Sequence, residues 1–152
     1  MQIRPASAHE VMDLRHAVLR HGLPRQTAMF PGDDAPTAKH FIAEQDGKVI
    51  GCATLHLNEW NQTPAWQLRG MAVDPAHQGQ GVGSALLNAI GNAVAASQTN
   101  QLWCNARIHA AEFYRKHGWQ TASEVLEIPH AGPHVKMIKS AEPARVTTSP
   151  PS

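Results

Sequence analysis

The chain has 152 residues, a formal net charge of +1, 42% hydrophobic and 16% charged residues. That is enough chain for one domain with one core. The charge balance argues against a nucleic-acid or membrane-surface partner. No apolar run approaches the roughly 18 residues a bilayer-spanning helix needs. The opening Met1-Gln2-Ile3-Arg4-Pro5 shows no apolar signal region, so a cytoplasmic location is expected. Cys52 and Cys104 sit in apolar stretches and are expected as buried thiols rather than a disulfide.

In chain order, residues 1–5 read as a short strand. Ser7 followed by Glu10 is a capping box, and Val11, Leu14 and Val18 continue at helical spacing to Gly22. Residues 22–38 hold three prolines and read as a loop with at most a short helix. Residues 40–44 and 48–57 read as a hairpin about Asp46-Gly47. A polar loop is expected over 58–64 and a strand over 65–73, ended by Asp74-Pro75. A glycine-rich turn at 78–83 then opens a helix with the stripe Val82, Leu86, Ile90 and Val94. A strand over 101–106, a short helix over 110–117 closed by Gly118, and strands over 119–128 and 134–138 follow. Residues 141–152, rich in Pro, Ser and Thr, are expected to be disordered, leaving a domain over 1–140. Hairpins followed by strand–helix–strand units predict a mixed sheet flanked by helices.

The turn Gln78-Gly79-Gln80-Gly81-Val82-Gly83 is the sharpest chemical signal. Glycines let backbone N–H groups approach a ligand, and a helix N-terminus adds unpaired N–H groups and a positive dipole end. Together they suit phosphate oxygens. A plain turn is the alternative. The turn is not a P-loop, because Gly83 is followed by Ser84-Ala85 with no Lys. It is not the dinucleotide fingerprint either: the third glycine position falls on Ser84 or Leu86, and no carboxylate occurs between Asp74 and Glu112.

The turn does resemble the Gln/Arg-x-x-Gly-x-Gly/Ala motif of the GNAT N-acetyltransferase superfamily. The preceding Leu68-Arg69-Gly70-Met71-Ala72-Val73-Asp74-Pro75 and the following Ser84-Ala85-Leu86-Leu87 also look like that family. Ala110-Ala111-Glu112-Phe113-Tyr114, with Gly118-Trp119, resembles its second motif. The resemblance covers roughly residues 39–139. It implies an α/β fold with a mostly antiparallel sheet of about six to seven strands, a splayed central parallel pair and about four helices.

It further implies acetyl transfer from acetyl-CoA, a cosubstrate, to a small-molecule or peptide amine, with no metal. A homodimer is left open. The CoA diphosphate would rest on the amides of Gln78, Gly79, Gln80, Gly81, Val82, Gly83 and Ser84. The pantetheine arm would pair with the backbone of Met71, Ala72 and Val73. Asn105 would stand in for a family asparagine whose place is taken by Arg107. Tyr114, the single tyrosine, would act as general acid toward the departing thiolate.

Some family members carry a catalytic Glu where this chain has Gln67, which cannot take a proton. Other candidate bases are His56, Glu59 and His109. Arg69 is a candidate for binding an acceptor carboxylate, or else forms a surface ion pair. Asp33 and Asp34 would favour a cationic amine, or else form a solvated turn. Pro129 and Pro133 exclude a helical metal pair at His130 and His134, and Ser84 lacks a nucleophile-elbow frame. Two rival readings are a CoA-binding module without turnover and a transferase for longer acyl groups.

Overall fold

A computed structural model of the chain describes residues 1–129 and 131–140. The expectation of a disordered tail, and His130, lie outside the described residues. The described elements are strands β1 (Gln2–Ala6), β2 (Lys39–Gln45), β3 (Lys48–Trp60), β4 (Thr63–Val73), β5 (Gln101–Arg107), β6 (Gln120–Thr121), β7 (Leu126–Ile128) and β8 (Gly132–Ser140). The α-helices are α1 (Ala8–Leu19), α2 (Val82–Ala95) and α3 (Ala111–Lys116). Three short 3₁₀ turns cover Arg25–Ala28, Pro75–His77 and Ile108–Ala110. The fold is mixed α/β, mostly antiparallel with one parallel pair. β4 and β5, joined through α2, are that pair, as a strand–helix–strand connection requires.

The fold is the one expected, with eight strands and three α-helices among the described residues. Two local expectations are corrected. The expected 58–64 loop shrinks to a two-residue turn. Asn61 and Gln62 both take positive φ (51° and 67°), as a tight hairpin requires, so both strands extend into it. The single strand expected over 119–128 splits into β6 and β7, which pair separately with β8.

By contact density the chain divides into two units. The first holds Met1–Leu57 and Leu68–Ala89, with strands in the order β1-β2-β3-β4. Its sheet is covered on both faces. Ile42 pairs with Cys52 and Ala43 with Gly51, so these two pairs point to opposite sides. On one side Ile42, Cys52 and Ala72 pack with Val11, Leu14 and Val18 of α1. On the other, a Cβ built at Gly51 would lie 2.7 Å from Val82 and 3.0 Å from Leu86 of α2. This explains why β3 is buried continuously from Ile50 to His56 rather than alternately. The capping box forms as predicted: Ser7 Oγ accepts from the Glu10 N–H, and Glu10 accepts from the Ser7 N–H at 2.9 Å.

The second unit holds Asn58–Gln67 and the chain from Ile90 onward, with strands in the order β4-β5-β8-β6 and β7 also on β8. β5 pairs with β8 without interruption from Gln101↔Ser140 to Arg107↔His134. The Trp66 indole N–H donates to Ser97 Oγ at 3.0 Å, and Trp60 packs on Trp103 at 5.5 Å. Helix α3 ends in a Schellman motif. Gly118 takes φ 88°, the Trp119 N–H donates to the Tyr114 carbonyl and the Gly118 N–H to that of Arg115.

Candidate functional site

The glycine turn lies at the junction of β4 and α2, within the first unit. Its approach is anchored at Asp74. The Asp74 N–H donates to the Ile50 carbonyl at 2.9 Å, and its carboxylate accepts from the Ala76 N–H at 3.0 Å. That backbone bond, with help from Lys48, holds the Asp74 carboxyl below its ordinary pKa. Gly79 and Gly81 then take φ 80° and 84°. A side chain at either would be strained, and a Cβ at either would meet nothing within 4 Å. The turn is therefore left-handed and open.

The first i→i−4 bond of α2 runs from the Ala85 N–H to the Gly81 carbonyl. The amides of Val82 and Gly83 precede it and carry the positive end of the helix dipole. No acidic side chain occupies the first turn of α2 to neutralise it. Gly51 adds a requirement that the sequence did not disclose. Because its missing Cβ makes room for Val82, α2 can bring its N-terminus down onto the sheet.

Of the other residues expected to hold CoA, Met71, Ala72 and Val73 form the end of β4 just before the turn. Gln78 directs its side-chain amide to the Val73 carbonyl at 3.4 Å. Asn105 and Tyr114 belong to the second unit. Asn105 Oδ1 accepts from Lys136 Nζ at 3.3 Å. Tyr114 is buried, edge-on to Trp119 at 5.2 Å and to Phe113 at 5.4 Å. Among the described residues, no acceptor takes its hydroxyl proton. Burial, and then the neighbouring Cys104, push its pKa well above that of an ordinary phenol. The phenol therefore stays protonated over the ordinary pH range. Cys52 and Cys104 are both free and buried, and burial pushes each thiol up to about 12.

Among the candidate bases, Glu59 and His109 are exposed. Gln67 is buried, with its Oε1 accepting from Asn58 at 2.9 Å. His56 is buried too, its Nε2 2.9 Å from Asp33 Oδ1. That contact belongs to a network absent from the sequence reading.

Asp33 is neither solvated nor open to a cationic acceptor: it is 4% exposed. It accepts from Arg15 Nη1 at 2.6 Å and from the Phe30 N–H at 2.8 Å. Arg15, fully buried, also donates to the Ala28 carbonyl and to Thr54 Oγ1, which is bonded in turn to His40 Nδ1. Burial alone would raise the Asp33 pKa. The bonds from His56, Arg15 and the Phe30 amide outweigh it and hold the carboxyl below the usual carboxylate range. One signal was readable. Arg15 lies four residues after Val11, so a charge occupies the apolar stripe of α1.

Among the described residues, Arg69 makes no surface ion pair. Its guanidinium lies over the Phe30 ring at 4.5 Å, and those of Arg15 and Arg20 lie 4.0 and 5.1 Å from the same centroid. Gly70 beside it takes φ 66°, and a Cβ there would lie 2.8 Å from Arg15 Nε. This left-handed residue interrupts the alternation of β4. Among the described residues, no cluster of three or more His, Cys, Asp or Glu is arranged to hold a metal, and no helix is long and apolar enough to cross a membrane.

The chain is 28% identical over 148 residues to the uncharacterized N-acetyltransferase YitI of Bacillus subtilis (strain 168), covering 95% of this chain and 99% of that protein. It is 26% identical over 103 residues to YjcF, an uncharacterized N-acetyltransferase of the same organism, covering 67% of this chain and 70% of YjcF. Its fold is similar to that of Escherichia coli ElaA (TM-score 0.78, 17% identity, 92% of this chain and 100% of that one). It is also similar to that of an aminoglycoside 6'-N-acetyltransferase complexed with coenzyme A (TM-score 0.75, 16% identity, 96% and 100%). The sequence pattern of the acetyltransferase (GNAT) domain matches residues 36–121, from the turn just before β2 through the glycine turn and α3 to β6. The chain therefore belongs to the GNAT acetyltransferase family.

Proposed function

We propose that this protein is an N-acetyltransferase that moves an acetyl group from acetyl-CoA to a primary amine by direct attack. The open, left-handed glycine turn at the mouth of an uncharged helix carries the reading. Amides within Gln78–Ser84 hold the CoA diphosphate, and the backbone of Met71, Ala72 and Val73 bonds the pantetheine arm. Asn105 adds a side-chain contact to CoA. The acceptor amine, as its free base, attacks the thioester carbonyl, whose developing oxyanion takes a backbone N–H near Val73. The C–S bond breaks, Tyr114 donates its proton to the leaving thiolate, and the proton shed by the attacking nitrogen returns through solvent to the phenolate. Burial raises the Tyr114 pKa, so the phenol is protonated throughout the working pH range.

No covalent acyl-enzyme forms in this scheme. Both cysteines are buried, and their raised pKa values keep them as thiols. A cytoplasmic location accords with these free thiols.

The test is calorimetry with CoA and acetyl-CoA, paired with thiol release across an amine panel. Saturable binding with acceptor-dependent thiol release is the expected result. Absence of CoA binding refutes the reading. Stoichiometric binding without release would favour a CoA-binding module, and a donor series of increasing acyl length would expose a preference for a longer group.

A further inference from the structure

We infer that Arg69, seated on the face of Phe30, binds a carboxylate of the acceptor, which makes the acceptor an amine that also carries a carboxylate. The inference rests on the N-acetyltransferase reading and deepens it.

Arg69 is partly buried, and among the described residues no hydrogen bond or ion pair engages its guanidinium; its recorded contact is the Phe30 ring. A guanidinium removed from water retains five N–H donors that need acceptors. Burial, opposed by Asp33, lowers its pKa, so this charge is under-compensated where it stands.

Three guanidiniums, from Arg15, Arg20 and Arg69, surround one phenyl ring. Asp33 is already committed to Arg15 at 2.6 Å, to His56 at 2.9 Å and to the Phe30 amide at 2.8 Å. Arg15 is thereby neutralised within the protein, whereas Arg69 is not. Stacked on a ring, a guanidinium presents its edge as a planar fork that matches a carboxylate bidentately.

Position adds the link to chemistry. Arg69 precedes by two residues Met71, where the proposed pantetheine strand begins, so their Cα atoms lie within roughly 7 Å of one another on β4. The reach of the Arg69 side chain covers part of any gap, so the acceptor series runs from one carbon between amine and carboxylate to three. Phe30 also lines, with the rest of Met29 to Ala35, an open hollow of about 360 Å³ on the loop that carries it.

The experiment uses the full chain with acetyl-CoA and matched acceptor pairs: glycine and glycinamide, β-alanine and its amide, and 4-aminobutyrate and its amide. At least one acid should exceed its amide in kcat/KM by about tenfold or more, as a charge-assisted pair implies. Arg69→Gln should collapse that ratio toward one, and Arg69→Lys should restore part of it. Acetyl-CoA affinity, measured by calorimetry, should be the same in wild type and Arg69→Gln. If amides serve as well as acids, if none of the acids is acetylated, or if the ratio survives in Arg69→Gln, the inference fails. The wild-type comparison decides the matter even if the variant does not fold. Loss of acetyl-CoA binding in the wild type would instead sink the N-acetyltransferase reading itself.

Discussion

Replacing Asp33 by Asn keeps the shape of the side chain but removes its charge. Arg15 would then remain fully buried with no counter-ion, still donating to the Ala28 carbonyl and Thr54. Removing one partner of a buried pair costs about 3–5 kcal/mol, chiefly because the other charge is stranded. At about 3 °C per kcal/mol for a chain of this size, the midpoint should fall by roughly 10–15 °C. The assay is urea unfolding followed by tryptophan fluorescence, with thermal melts alongside. Two controls sharpen it. The double variant Arg15→Met/Asp33→Asn should be more stable than Asp33→Asn alone, since it removes the stranded charge. The gap between wild type and Asp33→Asn should also depend on pH. The folded-state pKa of Asp33 is depressed, so its contribution is present above the unfolded value and lost as pH falls toward the folded one. The gap should therefore narrow below about pH 4. A loss of less than about 1 kcal/mol at pH 7, or a gap that does not change on acidification, would refute this account of the network.

Gly81→Val forces a β-branched residue into φ 84° and weakens CoA binding at least about tenfold, read by calorimetry. Tyr114→Phe lowers kcat by at least about tenfold while leaving CoA affinity nearly intact, and unchanged turnover removes Tyr114 from the mechanism. Because Tyr114 is the single tyrosine and its pKa is raised by burial, absorbance at 295 nm should show no tyrosinate in the folded protein through pH 10. The sign of its linkage follows: stability from the protonated phenol is full below the unfolded pKa and is lost as pH rises above it. Cys52 and Cys104 should resist an aromatic disulfide reagent at pH 8 and react as two thiols only in denaturant.

Local chemistry was written openly in the chain. The Ser7–Glu10 capping box, the Asp46-Gly47 turn and the Gly118 helix stop formed where their residues specify, because each is satisfied by neighbours within a few positions. The glycine turn was legible for the same reason: Gly79 and Gly81 sit at left-handed angles that glycine adopts most readily. The hairpin at Asn61-Gln62 was missed because its central residues carry no glycine, and the pairing of the flanking strands carried the positive φ values.

What the sequence by itself determined was the family, the order of most elements and the left-handed glycine turn, all of them properties of contiguous residues. Tertiary structure alone decided that Arg15, Asp33, His40, Thr54 and His56 share one buried network, and that Gly51 clears the way for Val82. It also decided that Arg69 lies on Phe30 without an anion among the described residues. These relations join positions up to 41 apart (Arg15 to His56), whose spacing records nothing about their meeting. Only burial, which makes an unpaired charge costly, selects those partners once the sheet and helices have closed.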